Sequence, residues 1–511
     1  MKICLIRPPI LVPAKNVLVS YTPPVGLAYV ASALRNANFE ICFIDGLGES
    51  IETRYPWGND CFNYGLTFEK ILEKIPDDVG MIGVHAGFSF DWPMCRELIN
   101  LIRKNFPHVT LIGGGEHLTA APEESLMESA LDLIVCGEGE ETAVEVAKAV
   151  EVAKAVESGN TNFESINGIA LHSKEGKFFK TNSRARLKDI DNIAPPAWDT
   201  FPIHNYLDRG FGLGVDRGRS IPIVASRGCP YQCTFCSSPN MWTTRWVIRD
   251  PDLLLDEMED LINRFGATNF DFYDLTFVLK KQWIIDFCQK IEERGLSFTW
   301  QIPSGSRTEV IDREVAYWMF RSGCRNLTYA PESGSPSVLK EIKKKVSPES
   351  MVKSVRGSVK EGLNIKIAII FGFPNDTLRK IFESYMFIAK LALAGAHDVS
   401  IWGYAPYPGS ELFDNLAAKN HIKLNDDFYD KLRTYGDPSK TTSYCENFSN
   451  NGLKTLRIIG LAIFYSISYL YRPIRPLRII RNLIKGTQES RMEMGLTDAF
   501  RRIKFYLASS N

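Results

Sequence analysis

Short apolar runs and helical segments alternate along this chain in two separate series, and that alternation leaves few folds open. In the first series the apolar runs fall at residues 3–6, 41–44, 81–84, 110–112 and 133–135. Between the first two, Leu27, Val30, Ala31 and Leu34 recur at helical spacing. Strands this short, separated by helices, predict a parallel sheet covered on both faces. Such sheets bind ligands at the carboxyl ends of their strands. Those ends read Arg7-Pro8-Pro9, Asp45-Gly46, His85-Ala86-Gly87, Gly113-Gly114-Gly115 and Gly137-Glu138-Gly139-Glu140. Three glycine-rich ends in one sheet predict a ligand crevice without naming the ligand. The sequence AVEVAK at 143–148 repeats directly at 149–154. Six residues are not a whole number of turns, so the copies cannot bury one side, and a lengthened peripheral helix is expected.

A polar stretch with a hairpin at 169–181 leads to a boundary at Pro195, Pro196 and Pro202. The second series then places strands at 221–225, 270–273, 298–302, 326–330, 367–371 and 399–404. Six β/α repeats suit a second doubly wound sheet or a partial barrel. Either puts its chemistry at the strands' carboxyl ends. With 511 residues, at roughly 150 per domain, two or three domains are expected. The natural divisions are 1–190, 215–415 and 416–511.

Composition removes several function classes. A chain 45% hydrophobic and 23% charged is not generally disordered. Sixty basic against sixty acidic residues give no net field for nucleic acid or anionic membrane, and no nucleic-acid partner is expected. Eleven cysteines are too few for a disulfide scaffold. Met1-Lys2 runs straight into a strand-like segment, with no secretion leader, which predicts a cytoplasmic location. In a reducing cytosol clustered cysteines read as metal or redox sites.

One cluster stands out, in Arg227-Gly228-Cys229-Pro230-Tyr231-Gln232-Cys233-Thr234-Phe235-Cys236, just past the first strand of the second series. Thiolates select zinc or iron–sulfur clusters. Structural zinc takes four closed ligands, yet the next cysteine is Cys288 and the next histidine His397. Three local thiolates suit a cubane cluster with one open iron. A zinc turn completed from afar, or three reduced thiols, are the alternatives.

The spacing CxxxCxxC, with Phe235 before the last cysteine, resembles the radical S-adenosylmethionine (SAM) superfamily. The resemblance implies that Cys229, Cys233 and Cys236 hold a [4Fe–4S] cluster whose free iron is chelated by SAM. It also implies cleavage of SAM to a 5′-deoxyadenosyl radical on a partial (β/α)6 barrel. Other stretches resemble the family strand by strand over about residues 215–415. Tyr273-Asp274-Leu275 looks like the acidic turn of the second strand, with Asp274 the one acid left to meet SAM's amino group. Ser306-Arg307 resembles the polar pair of the third strand. Glu332-Ser333-Gly334 resembles the fourth-strand motif, and Phe371-Gly372-Phe373-Pro374 the adenine-side fifth, with Asn375-Asp376 in place of its usual downstream acid. Pro406-Tyr407-Pro408-Gly409 resembles the sixth-strand exit.

The first domain is similar to the cobalamin-binding domain that precedes the barrel in one branch of that superfamily. The similarity lies in Pro23-Pro24-Val25-Gly26-Leu27, Gly87, Gly114-Gly115-Glu116-His117 and Gly137-Glu138-Gly139. It implies a cobalamin contact at Gly26, Gly87, Gly114, Gly115, Gly137, Glu138 and Gly139. The cobalt-ligating DxHxxG motif is absent, so no histidine is expected on cobalt, His85 and His117 being the candidates. The branch implies methylation of an unactivated carbon, or an oxidative cyclisation resembling the anaerobic tetrapyrrole cyclases. A methylthiotransferase would carry a second three-cysteine set, and Cys4, Cys42, Cys61, Cys95 and Cys136 are scattered. A non-catalytic iron–sulfur regulator is the alternative from another class. The partners implied are a small-molecule substrate and a reducing donor such as flavodoxin or ferredoxin; no catalytic residue is singled out.

The last sixty residues form a different surface. Residues 451–511 hold eleven Lys/Arg and three Asp/Glu. Residues 458–471 carry no charge, a run too short for the roughly twenty residues that span a bilayer. Arg472, Arg475, Arg478 and Arg481 follow, interrupted by Pro473 and Pro476. The prolines predict an extended, polyproline-type segment with its arginines along one side. An apolar run beside basic charge predicts either a docked helix or a peripheral contact with the inner face of the membrane, and with it a lipophilic substrate.

Overall fold

The computed structural model describes all residues except 15–20, 59, 156–162, 174, 307–309, 434–439, 498 and 501–511. The first sheet has seven main strands: β1 (Lys2–Arg7), β2 (Glu40–Asp45), β3 (Val79–His85), β4 (Thr110–Gly114), β5 (Leu133–Val135), β6 (Ile169–His172) and β7 (Phe178–Lys180). Their order across the sheet is β7-β6-β5-β4-β3-β1-β2. The five strands from β1 to β5 are parallel, and the expected hairpin β6–β7 adds to the edge antiparallel. The order reverses between β1 and β3, the position at which open α/β sheets bind their ligands. Registers Ile6↔Val84, His85↔Gly114 and Gly114↔Val135 bring the glycine-rich ends level along one edge. The duplicated hexads lie in the helix Glu140–Ala155. Ala143, Val146, Ala147 and Val150 are buried there, while the rest of the second copy faces outward.

The second series forms a six-stranded parallel sheet in strict sequence order: β8 (Ser220–Ile223), β9 (Asn269–Phe272), β10 (Thr299–Ser306), β11 (Cys324–Glu332), β12 (Asn364–Phe371) and β13 (Asp398–Gly403). No hydrogen-bonded ladder joins β13 back to β8 among the described residues, so the curled sheet is a partial barrel rather than a closed one. The fold is thus α/β, a Rossmann-like domain followed by the barrel. Alternation governs β12: Ile365, Ile367, Ile369 and Phe371 are buried against the outer helices, while Lys366, Ala368 and Ile370 face the bore and are half-buried. Local chemistry ends the outer helices as the sequence dictates. Asp250 accepts from the amides of Asp252 and Leu253 at the start of Pro251–Phe265, and Gly266 ends it in the left-handed conformation.

The tail departs from expectation. Residues 458–471 belong to a 22-residue helix, Asn450–Tyr471, long and apolar enough by length and composition to cross a membrane. One face of it is docked on the barrel. Leu453, Arg457, Gly460, Phe464 and Ser468 are buried against β13 and the helix Leu378–Ala394. Gly460 permits the approach, since a Cβ there would lie 2.5 Å from Ile401. Arg457 donates to the carbonyl of Ile401 and the hydroxyl of Thr441.

The segment expected to be extended is instead a helix, Ile474–Lys485. Pro473 is its N-cap and Pro476 its third residue, positions whose amides have no intrahelical acceptor, so neither proline interrupts a bond. Arg472 and Arg475 do not line an outer side either. They donate to the carbonyls of Ala392, Leu393, Gly395 and Ala396 at the end of Leu378–Ala394, the C-terminal placement that a helix dipole favours.

Candidate cofactor site between the two sheets

The cysteine loop leaves β8 through Ser226-Arg227, which pair antiparallel with Val247–Ile248. Gly228 follows with φ +87°, and a Cβ would lie 2.0 Å from the Arg245 carbonyl, so only glycine fits. The three thiols are free and half-buried, unlike the buried Cys288 and Cys324. The Cys236 amide donates to the Cys233 carbonyl, curling the loop, and Thr276 donates to Cys229 Sγ at 3.2 Å. Among the described residues no three His, Cys, Asp or Glu side chains converge tightly enough for a single ion. Three free thiolates on one loop, without a fourth local ligand, are the donor set of a cubane with one open iron. Burial pushes the Cys233 and Cys236 thiols up, and the nearby Lys344 ammonium opposes this at Cys233.

The residues expected to meet SAM have distinct surroundings. Ser306, at the end of β10, is buried with no partner for its hydroxyl, a polar atom left for a ligand. Glu332, at the end of β11, has φ +67° and accepts from Lys344 Nζ at 3.0 Å. Phe235 packs 5.8 Å from the Phe373 ring, and the Lys344 ammonium lies 5.9 Å from the Phe235 ring centroid. Ser333 is spent on the turn, bonding Ser384 and the Ser335 amide. Gly372 holds φ +86°, and its amide donates to Asp376. Asp274 is buried, accepting from the Ser226 hydroxyl at 2.5 Å and the Ala225 amide at 3.2 Å, so it braces the strand leading into the cysteine loop. Arg307 lies outside the described residues.

The glycine-rich ends of the first sheet meet the cysteine loop directly. Gly115 has φ +126°, and a Cβ there would strike the Ala86 carbonyl beside Gly87 at 2.4 Å. Gly114 and Gly137 border it, the Gly137 amide donating to Thr119, while Gly139 packs against Val30. Gly26 starts the helix Val25–Asn36 with open space where a side chain would be. Glu138 is different: it accepts from Arg186 Nε and Nη2 at 3.2 Å each and from the Leu187 amide, and pairs with Arg227 at 3.4 Å. Arg227 Nη2 also donates to Glu140 at 2.6 Å, and its guanidinium lies over the Tyr29 ring. Ser237, one residue past Cys236, donates to Glu116. His117 is fully buried, hydrogen-bonded to Ser89 and tilted against the Trp92 ring at 4.9 Å, while His85 ends β3; burial pushes them down to about 3 and about 4, leaving both neutral at neutral pH.

Sequence reasoning missed Lys344 and the Arg186–Arg227 pair. Lys344 sits in Lys343-Lys344-Lys345, which reads as a solvated charge run. The arginines carry no spacing that marks them.

Comparison with known proteins agrees with this architecture. The B12 binding domain pattern matches residues 13–147, and the radical SAM superfamily pattern matches 223–388. A Pyrococcus horikoshii protein described as the uncharacterized methyltransferase PH0819 is 30% identical over 424 residues, covering 82% of this chain and 84% of its own. The chain belongs to the B12-binding radical SAM family. The anaerobic magnesium-protoporphyrin IX monomethyl ester cyclase of Rubrivivax gelatinosus is 26% identical over 408 residues, 78% of this chain and 67% of that one. The solved structure of OxsB, a cobalamin-dependent SAM radical enzyme with aqua-cobalamin and SAM bound, superposes with a TM-score of 0.66 at 15% identity, covering 98% of this chain and 75% of that one. This member of the family is a radical SAM enzyme, nearer a methyltransferase than a cyclase, and its cofactors are a [4Fe–4S] cluster, SAM and cobalamin. Its substrate is a small molecule and its electrons come from a reductant.

Asp274 sets a pH dependence in the cofactor-free family member. Burial pushes its carboxyl up from 3.8 to about 7, against the pull of its Ser226 and Ala225 donors. Folded, it keeps a proton that the unfolded chain gives up, so stability falls as pH rises from about 4 to about 7. In urea unfolding, Asp274→Asn should gain on the wild type across that window, by at most roughly 4 kcal/mol. A pH-independent difference would contradict this.

Proposed function

We propose that this enzyme methylates an unactivated carbon, with residues 1–190 as the cobalamin unit, 215–415 as the barrel and 416–511 as a helical region closing both. Cys229, Cys233 and Cys236 would hold the cluster. Ser306, Glu332 and Lys344 would face SAM, with Phe235 and Gly372 shaping its pocket and Asp274 and Ser333 setting the loops. Gly26, Gly87, Gly114, Gly115, Gly137 and Gly139 would border the corrin without a histidine on cobalt. Bound together, the cofactors supply a carbon-centred radical and a transferable methyl group. The chain's own part is to hold both faces over one space and exclude water from it. The observation that carries this reading is the bonding of the cysteine loop to the first sheet through Arg227, Glu138, Glu140, Ser237 and Glu116. Product mass tests it. The product should gain one methylene unit, and Ala at any cluster cysteine should abolish it together with the visible absorption, while Cys288→Ala and Cys324→Ala should not. Loss of hydrogen from the substrate would instead support the cyclase reading that the Rubrivivax relative suggests.

We further propose that the enzyme is cytoplasmic and touches the inner face of the membrane, acting on a lipophilic molecule. The helix Ile474–Lys485 supports this. Ile474, Leu477, Ile480 and Ile484 are 55–81% exposed along one side, next to Arg478, Arg481 and Lys485. An apolar stripe bordered by cations suits an anionic interface. Full-length protein should float with anionic vesicles at low salt, and the variant with those four aliphatics changed to Ser should not. Equal flotation would remove the membrane reading and the argument for a lipophilic substrate.

A further inference from the structure

Twenty large apolar side chains stand exposed among the described residues, and twelve of them lie on three helices, Leu378–Ala394, Asn450–Tyr471 and Ile474–Lys485. These helices have 17, 22 and 12 residues of the 511, so exposed apolar surface is concentrated in one place rather than scattered. The barrel helix Leu378–Ala394 carries a stripe of its own. Leu378, Phe382, Met386 and Leu393 are 43–66% exposed. At roughly 100° per residue they fall within an arc of about 80° that begins beside Tyr385. An outer barrel helix turns polar residues to water when water is all it meets, and this one does not.

The stripe adjoins the tail. Tyr385 donates to the Leu456 carbonyl and Arg472 to the carbonyls of Ala392 and Leu393, so Asn450–Tyr471 runs alongside the barrel helix in the same direction. Arg457 and Tyr465 turn from that helix toward β13. Its opposite flank, with Ile459 and Leu470 exposed, therefore borders the stripe. Ile474–Lys485 continues the face past Leu393, where Arg475 is tied to the carbonyls of Gly395 and Ala396. Both longer helices begin at the carboxyl ends of the strands, the barrel's mouth. Leu378 follows Phe371-Gly372-Phe373-Pro374 closely, and a Cβ on Gly372 would lie 2.5 Å from Leu453. The face thus runs the length of the barrel from the rim between β12 and β13.

Charge indicates what covers it. Glu383 is the one acid in the sequence of the three helices, and Ser335 and Arg379 hold it. Arg379, Lys390, Arg481 and Lys485 are exposed on the same helices as the apolar side chains. A second copy of the chain meeting this face would set cations against cations. An anionic lipid surface meets the apolar side chains and the positive charge together.

We propose that the barrel lies on its side on anionic lipid, with Leu378–Ala394 as a second contact beside the tail and the rim between β12 and β13 at the lipid surface. An apolar substrate dissolved in the bilayer then reaches the mouth past Leu378 and Phe382 without crossing water. This rests on the membrane reading drawn from Ile474–Lys485, and it adds the orientation of the barrel and the side from which substrate enters.

The test uses the anaerobically reconstituted full chain with vesicles of phosphatidylglycerol and phosphatidylcholine at low salt. A pulse of hydroxyl radicals labels exposed side chains, and mass spectrometry reads the labels. Vesicles should lower labelling of Phe382 and Met386 by at least about threefold, while Met127, 73% exposed on the first domain, should label as it does in solution. A variant with Leu378→Ser, Phe382→Ser and Met386→Ser should still float, but should need at least about threefold more lipid for half-maximal flotation. Cluster absorption and melting temperature serve as folding controls for these exposed positions. A wild type that floats with Phe382 and Met386 labelled as in solution would overturn this proposal and leave the tail contact standing. So would a triple-Ser variant with the lipid requirement of the wild type. Protection that appears without vesicles as protein concentration rises would make the face an interface between two copies, again overturning it. A wild type that does not float at all would end both readings.

Discussion

Arg227 stands two residues before the first cluster cysteine, and its guanidinium is held by two carboxylates from the other domain. Glu140 and Glu138 reach it from the loop after β5, at 2.6 and 3.4 Å, and Arg186 braces Glu138 from the far side. All four side chains are 10% exposed or less. Buried ion pairs add little net stability, because desolvation offsets their attraction. Breaking one is another matter: removing Arg227 would strand the Glu140 carboxylate, while Glu138 keeps Arg186, at a cost of about 3–5 kcal/mol. The network is therefore best understood as a fixture of geometry. It sets where the glycine-rich edge of one sheet lies relative to the cysteine loop of the other, and a space shared by two cofactors depends on that placement.

The rest of the molecule serves the same placement. The parallel registers of the first sheet bring Gly87, Gly115 and Gly137 to one edge, and the left-handed turns at Gly115 and Gly228 let backbones approach where a side chain would clash. The Thr234 amide and carbonyl bond Ile342 and Leu412, so the loop is also held by the fourth-strand and sixth-strand exits. Behind the barrel, the helix Asn450–Tyr471 covers the exposed edge strand β13, and the segment around Glu489 and Arg491 seals the floor. An unpaired edge strand invites association with other chains, and covering it removes that hazard.

Much of this was legible in the sequence for physical reasons. Three thiolates at CxxxCxxC spacing have few other uses, and alternating short strands and helices leave little choice but parallel sheets with ligands at their carboxyl ends. Partner choice was not legible. Glu138 reads as a ligand contact by its place in a glycine-rich loop, yet its charge is committed to two arginines far away in sequence. Lys344 is indistinguishable from its lysine neighbours until the fold turns it inward. The tail's prolines read as helix breakers because the rule depends on position within the helix, and that position is fixed by where Arg472 and Arg475 dock on the barrel.

The central claim is that the Arg227 fixture holds the cluster and the corrin over one space. Electron paramagnetic resonance of the anaerobically reconstituted enzyme, with reduced cluster and cob(II)alamin both present, tests it most directly. The account predicts mutual broadening of the two signals in the wild type and its loss in Arg227→Met at unchanged iron and cobalt content. Two non-interacting signals in the wild type, or coupling that survives Arg227→Met unaltered, would contradict it.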